Sequence, residues 1–205
     1  MHGKRKPTIV LVVLAVLALA VAACGDDDGD GTAATGQATT ETAAQTLTLT
    51  GEETTLALAA GTARVLEEND VAVAPLDPAT AGDEGIAFPI TGGEVEADSL
   101  AGTIEHSGGL TFSAGRTEVE LTDFVVDTTA GTLTATTPDG AQLTTLNLDL
   151  SAIEREDAAD GTIVVRGISA TLTDDAARAL NDAFSVELFE GGLPIGDVTV
   201  RATAG

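Results

Sequence analysis

Two side chains in this 205-residue sequence could do chemistry, and each lacks a second copy to act with. Cys24 is the only cysteine, and His106 is the only histidine apart from His2 near the start. A lone thiol forms no disulfide within its chain but can be alkylated, whereas a lone imidazole can bind a ligand or exchange a proton near neutral pH. Cys24 is therefore a candidate for covalent attachment and His106 for ligand binding.

The residues before Cys24 have the layout of a secretory signal. Basic side chains at positions 4–6 precede an apolar run over residues 8–23, which ends in two alanines. The run is shorter than the roughly 20 residues that a membrane-spanning helix needs. Residues 1–23 are thus predicted to be a removed signal peptide.

Val21-Ala22-Ala23-Cys24 resembles the lipobox of bacterial lipoproteins. The resemblance implies a diacylglyceryl group on the Cys24 sulfur, cleavage just before that residue and acylation of the new amino terminus. Each buried methylene contributes about 0.8 kcal/mol, so two or more chains anchor stably. The expected partner is the membrane and the expected location its extracytoplasmic face; the alternative is an ordinary cleaved signal with a cysteine at the junction.

Residues 24–45 are predicted to be the anchor cysteine and a disordered linker. The segment 25–45 contains no Leu, Ile, Val or aromatic residue, so it cannot offset its ordering entropy by burial. Such a linker spans on the order of 25 Å. Its start, D-x-D-x-D-G from Asp26, matches the opening of a calcium-binding loop, but Gln37 stands where that loop needs glutamate, and no metal site is predicted.

The charge after cleavage excludes nucleic acid as a partner. All 33 acidic residues lie beyond Cys24 together with only six basic ones, which gives a formal charge of −27. Such a surface repels phosphate backbones. An envelope protein or a small ligand remains as the expected partner.

After residue 45, apolar residues alternate with Thr or acidic ones, as half-buried strands require. Turns are predicted at glycine pairs, including Gly92-Gly93. Nine segments alternate: 46–50, 54–59, 71–76, 109–115, 117–128, 131–137, 141–151, 161–172 and 195–203.

One helix is predicted after Thr173, which can cap it before two aspartates and a helically spaced apolar face. A shorter turn over residues 62–68 looks similar, and four residue pairs share an offset of 114, one of which is Leu58 and Leu172. A strand-then-helix unit is therefore predicted to occur twice. The fold class is all-β, mainly an antiparallel sandwich or flattened barrel with one or two short helices, forming a single domain over 46–205.

The segment 102–110, GTIEHSGGL, resembles the glycine- and histidine-bearing strand-turn of HtaA-type domains, which occur in envelope proteins associated with haem capture. Residues 119–135 and the closing ALNDAF and GGLPIGDVTV agree with this family too. The resemblance implies a β-rich binding module whose haem is held by an axial tyrosine supported by a histidine. His106 could carry over, but the sequence contains no tyrosine.

Two interpretations of His106 follow. In the structural one, the ring lies at a strand end, bonded to a backbone carbonyl or to a carboxylate such as Glu105. In the other, His106 binds haem, although the mature chain has no second histidine, no methionine and no free cysteine beyond the proposed anchor as a replacement ligand. The structural interpretation is favoured, with no cofactor predicted and haem as the alternative.

Catalysis is not predicted. A serine nucleophile needs a base, yet Ser107 adjoins the only mature imidazole and would point to the opposite strand face. A zinc site needs several His or Cys ligands, and sugar sites usually need the Trp or Tyr that the sequence lacks. The main expectation is a non-catalytic binding or envelope-structural module, against an HtaA-like haem carrier or a carboxylate-based hydrolase.

The acidic residues at predicted strand edges have two interpretations. As a solvated face they oppose aggregation, and as oxygen ligands they could bind divalent cations. The solvated face is favoured for Asp123, Asp127, Asp149, Glu154, Glu156 and Asp157.

Overall fold

The computed structural model describes residues 45–205, which belong to one compact unit. The predicted signal peptide, Cys24, nearly all of the linker and the calcium-loop match lie outside the described residues.

The described part of the chain contains twelve strands and two helices. The helices are Ala60–Glu68 (α1) and Asp174–Phe184 (α2). The strands are Thr46–Leu58 (β1), Val71–Leu76 (β2), Thr80–Gly82 (β3), Gly85–Glu96 (β4), Gly102–His106 (β5), Gly109–Ala114 (β6), Thr117–Asp127 (β7), Thr132–Thr136 (β8), Gln142–Asp149 (β9), Glu154–Asp157 (β10), Thr162–Leu172 (β11) and Pro194–Ala204 (β12).

Eight of these strands form a closed antiparallel barrel. Its order is β7-β5-β4-β1-β12-β11-β9-β8, and the pairing of β8 with β7 closes it. Outside this ring, β2 pairs with β6 and β6 with β7, while β3 pairs with β4 and β10 with β11. The predicted all-β class, with a barrel and two short helices, is confirmed.

Alternation along the strands produces the core. In β12, Val198, Val200 and Ala202 face inward and are buried, whereas Arg201 between them is exposed. Burial of each valine or leucine stabilises the fold by about 1.5–3 kcal/mol. Because most barrel strands repeat this pattern, the core is the inside of the barrel.

The predicted turn at Gly92-Gly93 is wrong, because both residues lie within β4 at a bulge. The pairing with β5 shifts register between Ile90 and Gly92. Gly93 has φ +142°, and a Cβ there would lie 2.3 Å from the carbonyl oxygen of Thr103. The glycines thus bend a continuous strand and let the neighbouring backbone approach closely.

The two predicted strands over 46–50 and 54–59 are one strand, β1. Its register with β12 shifts between Leu49 and Gly51, and Glu52 has φ +78°. This irregularity interrupts the alternation, which is why the sequence pattern divides there.

The strand-then-helix unit occurs twice, as predicted. Leu58 ends β1 just before α1, and Leu172 ends β11 just before α2, so the offset of 114 holds for both strand end and helix start. Thr173 caps α2 by accepting a 3.1 Å hydrogen bond from the Ala176 amide, which confirms the predicted cap.

The barrel has two distinct ends. Strands β1 and β11 end at one edge of the barrel, where the helices follow them, and we call this edge the "helix end". We call the opposite edge, where β1 begins, the "N-terminal end". Among residues 45–205, neither helix is long and apolar enough to cross a membrane.

Candidate ligand-binding site

His106 lies at the end of β5 with its side chain inside the barrel. His106 is only 5% exposed, and so is Ile104 two positions earlier. Glu105 between them faces solvent, because successive strand residues point to opposite faces. Glu105 is therefore not the partner of the ring.

Both ring nitrogens of His106 have protein partners. Nδ1 lies 3.0 Å from the carbonyl oxygen of Phe124, and Nε2 lies 2.7 Å from Oγ1 of Thr54. Since a carbonyl only accepts hydrogen bonds, Nδ1 carries the proton. In the neutral ring Nε2 then accepts from the Thr54 hydroxyl, so the lone pair that could bind a metal is occupied.

A bulge in β7 makes the Phe124 carbonyl available. The pairing with β8 shifts register between Thr122 and Val125, and Asp123 has φ +51°. Phe124 is thereby left out of the ladder, and His106 supplies the donor that its buried carbonyl needs.

Burial lowers the pKa of His106 below its ordinary value of 6.5, and the hydrogen bond to the Phe124 carbonyl opposes this shift only in part. Desolvation disfavours the charged imidazolium. The ring is therefore neutral at pH 7, which agrees with its two hydrogen bonds.

A cavity of about 140 Å³, cavity 1, lies beside His106 toward the helix end. Thr54 and Phe124 hold the His106 ring and also line this cavity. Further lining comes from Leu66 of α1 and Leu180 of α2. His106 itself stands behind the cavity wall.

Cavity 1 is apolar and rich in aromatic rings. Four of the five phenylalanines of the sequence line it, and two of them, Phe88 and Phe124, pack edge to face with ring centroids 5.1 Å apart. Its four threonine hydroxyls all bond to the protein: Thr54 to His106, Thr62 to the Pro194 carbonyl, Thr137 to the Ala141 carbonyl and Thr145 to the Leu133 carbonyl.

Sequence reasoning missed Thr54 and the cavity. Thr54 shares the phase of Leu56 and Leu58, so a polar residue on the apolar face of β1 was the available signal. The role of the Phe124 carbonyl had no corresponding signal, because the bulge that frees this carbonyl from the sheet has no simple sequence pattern.

Most of the acidic residues named at the strand edges are held in local contacts. Asp127 accepts a 2.8 Å bond from the Ala130 amide, and Arg155 and Arg166 pair with Asp157 and Glu156, each at 2.7 Å. A hydrogen bond from the Ser151 side chain, aided by its amide, lowers the pKa of Asp149. Within residues 45–205, no group of three or more potential ligands could hold a metal ion.

No protein-family model matches the sequence, and no curated protein matches it. In structure the chain is similar to the C-terminal domain of HtaA from Corynebacterium glutamicum, with a TM-score of 0.57, 16% identity, and coverage of 78% of this chain and 99% of that domain. A domain-swapped dimer of a histidine-to-alanine variant of that domain gives a TM-score of 0.50 at 16% identity, covering 71% and 92%. The haem-binding protein HtaB from the same organism gives 0.46 at 10% identity, covering 78% and 96%. The likeness to the HtaA domain shows a shared fold, in agreement with the sequence resemblance.

Proposed function

We propose that this protein is a lipid-anchored, non-catalytic binding module at the extracytoplasmic face of a cell membrane, and that it takes a small apolar ligand into cavity 1. The anchor is Cys24, supported by the lipobox-like VAAC and the apolar leader. The observation that carries the binding function is the apolar cavity 1. Its threonine hydroxyls are all bonded to the protein, so the cavity suits a ligand that needs no hydrogen bond.

The size of cavity 1 limits the ligand. An apolar cavity of roughly 150 Å³ stays dry and binds benzene, and cavity 1 measures about 140 Å³. A one-ring apolar molecule therefore fits the barrel as it stands, whereas a tetrapyrrole requires the surrounding strands or helices to move apart.

Haem binding through His106 is the second candidate, and the HtaA-like fold favours it. The residues present do not fit an axially bound haem iron. Nε2 of His106 is occupied by Thr54, and the sequence has no tyrosine. The side chain paired with the histidine is a threonine, where the resemblance implies a tyrosine.

Thermal unfolding of the full-length protein with toluene tests the proposed ligand class. We expect toluene to raise the Tm of the wild type and not that of Ala179→Phe, which fills the mouth of cavity 1 from α2. An equal rise in both proteins would overturn cavity 1 as the site.

Titration with haemin and with metal-free protoporphyrin separates the two candidates. We expect no Soret shift that depends on His106, and equal binding of the two porphyrins. Haemin binding at least tenfold tighter than that of protoporphyrin, lost in His106→Ala and strengthened in Thr54→Val, would establish the haem function instead.

The anchor is tested by intact mass of the membrane-extracted protein. We expect a mass that begins at Cys24 and includes acyl chains, and release of a Cys24→Ser variant to the soluble fraction. A membrane-bound Cys24→Ser protein with its leader removed would contradict the anchor.

A further inference from the structure

A second cavity lies inside the opposite half of the barrel, toward its N-terminal end. This cavity 2 measures about 220 Å³. Leu49 near the start of β1 and Ala202 near the end of β12 line it, together with the 99–101 turn. Ile104 lines it as well, two residues before His106 on β5. No residue lines both cavities, so the layer that contains His106 separates two sites.

The lining of cavity 2 is mainly aliphatic, and its two side-chain hydroxyls already bond to the protein. It contains no aromatic residue, in contrast to the four phenylalanines of cavity 1. The hydroxyl of Thr128 bonds to the Leu100 and Gly102 carbonyls and accepts from the Gly102 amide. The hydroxyl of Ser99 donates to Glu96 at 2.6 Å. The part of a ligand that enters must therefore be aliphatic.

The mouth of cavity 2 is partly open and acidic. Leu100, Leu150 and Ile153 line it and are only partly buried. The Glu96 carboxylate lies 2.6 Å from the hydroxyl of Ser99, which lines the cavity. The exposed Asp98 and Asp149 adjoin the lining residues Ser99 and Leu150 in the chain. The charge of the nearby Arg155, whose guanidinium bonds to the Ala97 carbonyl, is already compensated by Asp157 at 2.7 Å.

We propose that cavity 2 binds one short aliphatic acyl chain in ester linkage. An apolar cavity of roughly 150 Å³ holds the six carbons of benzene, so the 220 Å³ of cavity 2 suits a chain of about nine carbons. The chain fills the aliphatic interior, and its uncharged ester end stays at the mouth. The carboxylate of a free fatty acid is repelled by the acidic mouth, so an esterified chain binds more tightly than the free acid.

Isothermal titration calorimetry of the full-length protein with methyl octanoate tests this site. We expect saturable binding of the ester and at least tenfold weaker binding of free octanoate at pH 7.5. Absence of saturable binding, or equal binding of acid and ester, overturns the proposal.

Matched variants locate the site. Ala101→Phe fills the mouth of cavity 2, and Ile153→Glu adds a carboxylate there without filling the interior; each is expected to weaken ester binding at least tenfold. Ala179→Phe at cavity 1 is expected to leave it unchanged. Ester binding that is lost in Ala179→Phe but kept in both cavity 2 variants overturns the assignment of the ester to cavity 2. That outcome leaves the toluene test of cavity 1 valid, so the two proposals can fail separately.

Comparison of the membrane-extracted protein with Cys24→Ser identifies the source of the chain. Weaker ester binding to the extracted protein supports occupancy by an acyl chain of its own anchor, a source that rests on lipid attachment at Cys24. Equal binding supports a chain taken from another lipid.

Discussion

His106 is kept neutral inside the barrel, and this gives the protein a pH-dependent stability. Because burial lowers its folded-state pKa below 6.5, the unfolded chain binds a proton between these two values while the native protein does not. The free energy of unfolding therefore falls as the pH falls through 6.5 toward the folded-state pKa, by at most about 1.4 kcal/mol per pH unit for this one proton.

Urea unfolding of the wild type and of His106→Gln from pH 8 to pH 5 measures this dependence. We expect the stability difference between the two proteins to shrink as the pH falls, since the carboxylates are common to both. A difference that stays constant across this range would show that the pKa of His106 is not lowered by folding.

Thr54 satisfies the buried Nε2 of His106, so its hydroxyl contributes to stability. Thr54→Val leaves that acceptor without a partner and is expected to reduce the free energy of unfolding by about 1–3 kcal/mol. Urea unfolding at pH 8 measures the loss. Thr54→Ser keeps the hydroxyl and serves as the control; if the serine variant lost as much as the valine variant, the methyl packing and not the hydrogen bond would explain the effect.

At the scale of elements, the two helices follow equivalent strands but begin differently. Thr173 caps α2 and also donates a 2.7 Å bond to the Thr144 carbonyl of β9. Ala59 occupies the equivalent position before α1 and offers no side-chain cap, and the first turn of α1 contains no acidic residue. α1 is thus the less well terminated helix.

Exchange of the two cap residues tests this difference by urea unfolding. We expect Thr173→Ala to destabilise the protein by about 1–2 kcal/mol and Ala59→Ser to stabilise it by about 0.5–1 kcal/mol. The extended backbone of Ala59, with φ −61° and ψ 134°, suits a capping serine. A destabilising Ala59→Ser would contradict the proposed equivalence of the two helix starts.

At the scale of the whole molecule, self-repulsion of the negative charge opposes folding. The chain beyond Cys24 has 33 acidic and six basic residues, and the four ion pairs seen within residues 45–205 all involve at least partly exposed side chains. Exposed pairs each contribute about 0–1 kcal/mol. Added salt therefore removes little stabilisation from the ion pairs, while it screens the repulsion among the many carboxylates.

The Tm is therefore expected to rise between 0.02 and 0.5 M NaCl. Over this range the Debye length falls from roughly 20 Å to about 4 Å, so the repulsion between the negative charges is screened. Differential scanning calorimetry measures it. A Tm that falls with salt would mean that the ion pairs outweigh the repulsion.

The sequence by itself determined the features that depend on neighbouring residues. Alternation indicated eight of the twelve strands, Thr173 and its aspartates located α2, and the 114-residue offset indicated the repeated strand-then-helix unit. Strand β10 was not predicted, because all four of its residues, Glu154–Asp157, are exposed and show no alternation of apolar and polar side chains. The anchor at Cys24 stays a prediction.

Only the tertiary structure decided what surrounds His106 and what the barrel encloses. Thr54 precedes the histidine by 52 residues and Phe124 follows it by 18, and both reach it because the register of β1 and the bulge in β7 place them at one level. Closure of β8 onto β7 then encloses the two cavities. Local patterns specify which face of a strand is apolar, but the partners across a closed barrel are set by register and closure, which no short stretch of sequence contains.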